Sequence, residues 1–347
     1  MTSRHGSLLL FALITLLLLR TLLAPLQGQS ITSVMIYVAS NGYTPEGAAL
    51  VPLMQAENAQ VLVHGGDTDF SDGAVTACNQ WPTLQYMCSP TVLSQQQIRD
   101  GWKAMMAPLN AVPWYISWGN HEANYKEGIP QYFFDLFPLT QTRRYYSVDI
   151  TTTAGPAHLV FLDSTLSVDP GTPQRIWLEN DLAAAFAADW RLVFVHGAPF
   201  STTKPALDLR QLAPLFSQRF VDLVVSGHVL WYERTHQVTY DPADADGLRV
   251  VDRDGGFLKN AGQVYLQPGC GGMRCLGTAL NPFQPPRLVR PYTATYFTID
   301  HHYAVLKWDG SDLTVQMKDA RGTNRDTFVI GPNPSPPPTP APTSTPG

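Results

Sequence analysis

Short runs of β-branched and aromatic residues recur along the chain, and each stops at a polar or glycine-rich loop. This pattern predicts strands at 33–38, Val61–Val63, Val112–Ser117, Leu159–Leu162, Leu192–Val195 and Leu223–Val225. Between several of them, apolar residues return at helical spacing. The clearest helix opens at Thr172-Pro173, a capping residue followed by a first-turn proline, and it puts Leu178, Leu182 and Phe186 on one face. Strands alternating with helices predict an α/β sheet. After about residue 262 the pattern changes to strands alone, at Val264–Leu266, Thr293–Ile299, Tyr303–Trp308, Leu313–Met317 and Thr327–Ile330. No tandem repeat interrupts the series.

Both ends depart from this pattern. Arg4 and His5 precede an apolar run from Leu8 to Leu19, followed by Arg20 and small residues from Ala24 to Gly28. That order predicts a secretory signal over 1–28, and the run is too short for an uninterrupted span of about 20 residues. Uncleaved, it would tether the domain outside the membrane. Residues 331–347 hold 8 of the 29 prolines and predict an extended Pro/Thr/Ser tail. A single domain over 29–330 remains, enough for a sizeable core at 44% hydrophobic residues. The formal charge is −5, or −7 once Arg4 and Arg20 leave with the signal. An acidic balance excludes the basic stripe of a nucleic-acid binder. Four cysteines, Cys78, Cys88, Cys270 and Cys275, suggest disulfides in an exported chain. Local pairing of Cys78 with Cys88 and Cys270 with Cys275 is the simplest arrangement, and a four-cysteine zinc site is the alternative.

The candidate chemistry sits where strands end. Val61–Val63 leads to Gly65-Gly66-Asp67, and Val112–Ser117 leads to Gly119-Asn120-His121-Glu122. Leu192–Val195 ends in His196, and Leu223–Val225 runs into Ser226-Gly227-His228. Ligands of α/β sheets collect outside the carboxyl ends of strands. The four loops therefore offer one carboxylate, one amide oxygen and two imidazoles to one place, a donor set suited to zinc, iron or manganese. His64 falls on the opposite strand face from Asp67. His158, His236, His301 and His302 carry no motif, and the His301-His302 pair is expected in an exposed loop.

The segments GGDTD, GNHE, VFVHGAPF and VVSGHVLWYERT resemble the calcineurin-like metallophosphoesterases, most closely the purple acid phosphatase branch. YYSVDI, FLDST, WLENDLAAA, GCGGM and the closing TIDHHYAVLKWDGSDLTVQMKDARGTNRDTFVI agree with that branch, so the resemblance covers about residues 31–330. It implies a four-layer sandwich, two mixed β-sheets packed face to face and flanked by helices, with a two-metal centre. It assigns one ion to Asp67, Asn120, His196 and His228, with Asp67 bridging to a second. It also assigns His121 to the phosphate and to protonation of the leaving oxygen, while Glu122 is expected to orient its loop.

The second site departs from the family at all three of its private ligands. The glycine–aspartate pair after the first strand is replaced around Ser40, the tyrosine three residues past the bridging aspartate is Phe70, and the second histidine of the GHxH segment is Leu230. Phenylalanine and leucine offer no lone pair. Asp69 and Asp72 are the carboxylates near enough in sequence to substitute, although turn-making is the usual role of such loop acids. The expected protein is a secreted or cell-surface phosphoester hydrolase with one divalent ion (zinc, manganese or iron) and a doubtful second site. Its substrate is expected to be a phosphate ester, and stable membrane insertion is not expected after cleavage. A catalytically silent relative that binds metal or a phosphorylated ligand is the alternative. The purple colour of the branch comes from a tyrosinate–iron bond that Phe70 cannot make. Iron-loaded protein is therefore expected to be colourless, and a visible tyrosinate charge-transfer band would contradict that.

Overall fold

The computed structural model describes residues 34–38, 45–68, 95–124, 129, 131–202, 204–271, 289–297 and 301–332. The leader, the tail beyond Pro332, Ser40, Asp69, Phe70, Asp72, Cys78, Cys88 and Cys275 lie outside the described residues. Among the described residues, no helix is long and apolar enough to cross a membrane.

The predicted strands are present, most of them extended or trimmed by a residue or two. They are β1 (Val34–Val38), β2 (Val61–His64), β3 (Trp114–Ile116), β4 (Tyr146–Thr152), β5 (Gly155–Leu162), β6 (Trp190–Val195) and β7 (Leu223–Ser226). Further strands are β8 (Tyr232–Thr235), β9 (Gln237–Tyr240), β10 (Leu248–Asp252), β11 (Gly256–Leu258), β12 (Val264–Pro268) and β13 (Thr293–Phe297). The last three are β14 (His302–Asp309), β15 (Asp312–Asp319) and β16 (Asn324–Gly331). One seven-stranded sheet has the order β11-β16-β15-β14-β1-β2-β3, the other β13-β8-β12-β7-β6-β5-β4. Both are mixed. β1, β2 and β3 run parallel in the first, as do β5, β6, β7 and β12 in the second.

Strand alternation builds the layers. Met35, Tyr37, Val61 and Val63 of the first sheet share one buried cluster with Leu159, Phe161, Leu192 and Phe194 of the second. Tyr37 stacks on Phe194 with centroids 6.0 Å apart, and each such ring contributes roughly 1.5–3 kcal/mol by leaving water. The opposite face of the first sheet, with Ile36, Val38 and Leu62, packs on Leu50, Met54, Trp102, Phe133 and Phe137. These belong to helices α2 (Leu50–Ala56), α3 (Gln95–Met106) and α5 (Gln131–Leu136) and the turn after α5, while the short helix α1 (Pro45–Ala48) precedes α2 and the short helix α4 (Asn120–Ala123) lies between α3 and α5. The outer face of the second sheet packs on α6 (Pro173–Ala184) and α7 (Ala213–Gln218) through Leu178, Leu182 and Phe216. Phe186 does not join Leu178 and Leu182: α6 stops at Ala184, and the ring is 42% exposed beside Arg191.

Polar contacts tie the sheets together. The Tyr146 hydroxyl on β4 donates to the Ile116 carbonyl and accepts from its N–H, each at 2.9 Å. Arg234 on β8 reaches Asp326 on β16 at 2.6 Å, with its guanidinium over the Phe328 ring. The pair His301-His302 is buried, contrary to the exposed loop expected for it. Its position explains the difference: His302 begins β14, donates its N–H to the Cys270 carbonyl at 2.8 Å and meets Tyr232 edge-on.

His158, which carries no motif, is held at the edge of the second sheet by Asp149 at 2.7 Å and Asp181 at 2.8 Å. Burial opposes its charge, yet the hydrogen bonds to Asp181 and Asp149 keep its pKa above 6.5. A raised pKa stabilises the fold fully below the unfolded value, and that contribution is lost as pH rises through the folded value. His158→Gln should therefore cost about 1–2 kcal/mol at pH 5.5 and less at pH 8.5, measured by urea unfolding. An equal loss at both would contradict the charged pairing.

Candidate metal centre

The carboxyl ends of β2, β3, β6 and β7 meet along one edge of the two sheets, where their loops face one another. Asp67 is 3% exposed and sits in a left-handed backbone conformation at φ 56°. That conformation is uncommon outside glycine and marks a constrained position. The turn into it needs Gly66, at φ 87°, because a Cβ there would lie 2.6 Å from His196 Nδ1 and 2.7 Å from the Ser117 carbonyl. Gly119 is equally confined, since a Cβ would meet Asp67 Oδ1 at 2.2 Å.

Glu122 fastens the β2 and β3 loops to each other. Its carboxylate accepts from the N–H groups of Gly119 and Asp67, both at 2.8 Å, and from Thr68 N–H at 2.6 Å and Thr68 Oγ1 at 2.9 Å. Burial and the neighbouring Asp67 push its pKa up, against the N–H donors that favour the ion. Its work is to hold the loop, as expected. Asp67 Oδ1 accepts the His121 N–H at 3.1 Å, which brings the His121 ring to 3.9 Å from Asp67 Oδ2. The His121 side chain, 15% exposed, lies nearer solvent than Asp67 at 4%.

His196 sets its own tautomer. Nδ1 donates to the Gly65 carbonyl at 2.6 Å, leaving Nε2 to face Asp67 Oδ2 at 3.0 Å and His228 Nδ1 at 3.1 Å. An imidazole lone pair and a carboxylate oxygen at that distance repel unless a proton or a metal cation lies between them. The electrostatics agree. Burial disfavours charge on both, but His196 and His121 hold the Asp67 carboxyl well below its usual range, and Asp67 in turn raises His196. Burial, and then the charge of His196, lowers His228 to about 3. Burial thus favours neutral His228, with one ring-nitrogen lone pair available. Its φ is 64°, in a tight turn closed by Val229 N–H on the Gly227 carbonyl at 2.7 Å.

The structure brings Asp67, His196 and His228 together with ligand atoms all within 4.8 Å of one another. Asn120 opens α4 beside them, and its Oδ1 is buried with no hydrogen-bond partner among the described residues. An acceptor left so costs about 1–3 kcal/mol, a cost that a cation at the cluster would relieve. Two imidazoles, a carboxylate and an amide oxygen fit a zinc-, iron- or manganese-like ion. His64 lies on the other strand face, edge-on to Trp102 and Phe137, where burial lowers its pKa to about 3. Its Nδ1 accepts Gly66 N–H at 3.1 Å, so it shapes the turn from behind. Leu230 is buried with Val229 and Trp231 against Tyr296, and its own side chain has no metal-ligating atom. Tyr232 is buried and donates to Asp326 at 2.8 Å. Sequence reasoning missed Lys204, whose charge acts on both Asp67 and His228 from the loop after β6. A lone lysine in a Thr/Lys/Pro loop carries no periodic or motif signal.

The model of the calcineurin-like phosphoesterase family matches residues 42–232, more than half of the chain. Purple acid phosphatase 22 of Arabidopsis thaliana is 29% identical over 252 residues, covering 67% of this chain and 52% of that relative. Purple acid phosphatase 18 of the same plant is 29% identical over 192 residues, covering 49% and 42%. The chain thus spans about half the length of the curated relatives it matches. Among solved structures, a purple acid phosphatase from yellow lupin (Lupinus luteus) seeds aligns with a TM-score of 0.63 at 18% identity, over 88% of this chain and 55% of that one. GAP50, the anchor in the inner membrane complex of Plasmodium, aligns with a TM-score of 0.56 at 14% identity, over 86% and 88%. At these identities the structural likeness shows the fold alone, and it is the four-layer sandwich.

Glu122→Gln would turn one accepting oxygen into a donor facing backbone N–H groups. The variant should lose about 2–3 kcal/mol in urea unfolding and bind zinc more weakly in a competitive chelator titration. Unchanged stability and affinity would remove Glu122 from its place as the clamp.

Proposed function

Because the chain belongs to the calcineurin-like phosphoesterase family, we propose that it is an exported phosphoester hydrolase working with one divalent ion on Asp67, Asn120, His196 and His228. The observation that carries the proposal is the convergence of three ligand atoms within 4.8 Å beside the unpaired Asn120 Oδ1. A bound dication supplies Lewis-acid polarisation of a phosphoryl oxygen and lowers the pKa of water.

The chain's own residues supply the rest. Asp67 provides the one carboxylate among the four proposed ligands, and Glu122 and His64 fix the turn that presents it. His196 holds its ligand nitrogen in place through Gly65, the supporting hydrogen bond usual for a metal-binding imidazole. His228, kept neutral by burial, offers a lone pair rather than a charge. His121, more exposed than Asp67 and His196, would meet the phosphate and protonate the departing alkoxide. Export rests on the apolar run before residue 20, and the disulfides rest on the even cysteine count; both are expectations of the sequence.

A catalytically silent, ligand-binding protein is the second reading, and Leu230 favours it. The Leu230 side chain offers no lone pair to a second ion, and without a second ion the paired clamp on attacking and leaving oxygens would be missing.

Purified full chain should bind about one equivalent of zinc or manganese and hydrolyse an aryl phosphate, with both lost in His228→Ala. One equivalent without turnover supports the silent relative, and two tightly held ions contradict the single-site assignment.

A further inference from the structure

A half-open cleft of about 350 Å³ lies on the outer side of the second sheet, and none of the residues lining it belongs to the metal cluster. That volume is within the usual range for a small-ligand site. Phe200 comes from the loop after β6, Arg210 and Gln211 from the turn before α7, and Tyr240, Asp246 and Gly247 from the β9–β10 hairpin. Hydrogen bonds hold the hairpin wall in shape. Tyr240 N–H donates to Ser217 Oγ at 2.9 Å, Asp241 N–H donates to the Gly247 carbonyl at 3.0 Å, and Asp244 Oδ1 accepts Asp246 N–H at 2.8 Å. Gly247, at φ 77°, lies under the Tyr240 ring, where a Cβ would be 3.8 Å from Cε2. Tyr240 stays 37% exposed.

The chemistry of the lining narrows what it can take. Arg210 is fixed by Nε on the Pro199 carbonyl at 3.1 Å, lies over the Phe200 ring at 5.0 Å and reaches Asp246 Oδ1 through Nη1 at 3.3 Å. The pair sets a donor beside an acceptor with no net charge between them. Arg290 approaches the same carboxylate at 3.7 Å, with its side chain 47% exposed. Gln211 has its amide nitrogen on Asp169 Oδ1 at 2.9 Å, and its amide oxygen is a further acceptor. A phosphate or carboxylate would meet Asp246 as a like charge. A purely apolar ligand would strip water from the Arg210–Asp246 pair and return no hydrogen bond. A saccharide meets both demands, because its C–H face packs on an aromatic ring while its adjacent hydroxyls each donate and accept.

We propose that this cleft is a binding site for neutral saccharides, with Tyr240 as the stacking platform and Arg210, Asp246 and Gln211 as the groups that read the hydroxyls. The assignment does not depend on a bound ion or on the hydrolytic reading. Ring and ion pair are held by the protein before a ligand arrives, so little ordering is lost on binding. The loop after β6 begins at His196 and runs through Phe200, so a glycan in the cleft lies along the loop that leads away from the metal cluster.

Equilibrium binding tests this without requiring turnover. Maltotriose, cellotriose and tri-N-acetylchitotriose are titrated by calorimetry into the full chain, with and without zinc, and sodium sulfate serves as the anionic control. At least one sugar should bind with a Kd of about 1 mM or tighter, equally in both metal states. Tyr240→Ala should weaken that sugar about 10-fold or more, whereas Tyr240→Phe, which keeps the ring, should stay within about 3-fold. Gln211→Ala should cost about 3- to 10-fold, the size of one lost hydrogen bond. Thermal midpoints are read for every variant, and if Tyr240→Ala melts early then Gln211→Ala decides. A parent that binds none of the three sugars, or a bound sugar indifferent to both alanine variants, would overturn the proposal. So would a sugar held only by zinc-loaded protein, which belongs to the metal cluster, or sulfate displacing the sugar.

Discussion

The carboxylate of Asp67 is buried, carries its charge, and faces an imidazole nitrogen at 3.0 Å. Taking such an ion out of water costs several kcal/mol unless positive charge and hydrogen bonds meet it. Most of the surrounding design answers that requirement. The His121 N–H satisfies one oxygen, and the other looks toward His196, where a proton or a metal ion must sit. Glu122 and His64 fix the backbone turn on either side, and Gly66 and Gly119 are small because nothing larger fits. The two sheets matter to function because their parallel strands end side by side and deliver four loops to this one carboxylate.

The site is lopsided. Asp67, His196 and His228 converge, whereas Leu230 contributes apolar packing where the family resemblance implies a second imidazole. A single cation on one carboxylate is a weaker trap for a phosphate dianion than a pair would be. The low charged fraction of the chain, 15%, fits a molecule whose useful charges are few and local.

Much of this was legible before the fold was known. The β-branched runs named the strands, and the polar residues after them named the cluster, because strand ends in parallel sheets share an edge. The role of Glu122 was legible in outline, though not that four donors converge on it. Side chains whose partners are distant in sequence were not legible. His158 is defined by Asp181 on a helix, and His302 by its place at the start of a central strand. Phe186 followed the helical period, but the helix ended two residues earlier, and periodicity does not report where a helix stops.

The central claim is that one ion sits among two imidazoles and two side-chain oxygens. X-ray absorption fine structure on zinc- or manganese-loaded protein reads that coordination directly. The expected spectrum has nitrogen and oxygen scatterers in the first shell, the outer-shell signature of about two imidazoles, and no metal–metal vector. A metal–metal distance of about 3.5–4 Å, or a shell lacking imidazole, would contradict it.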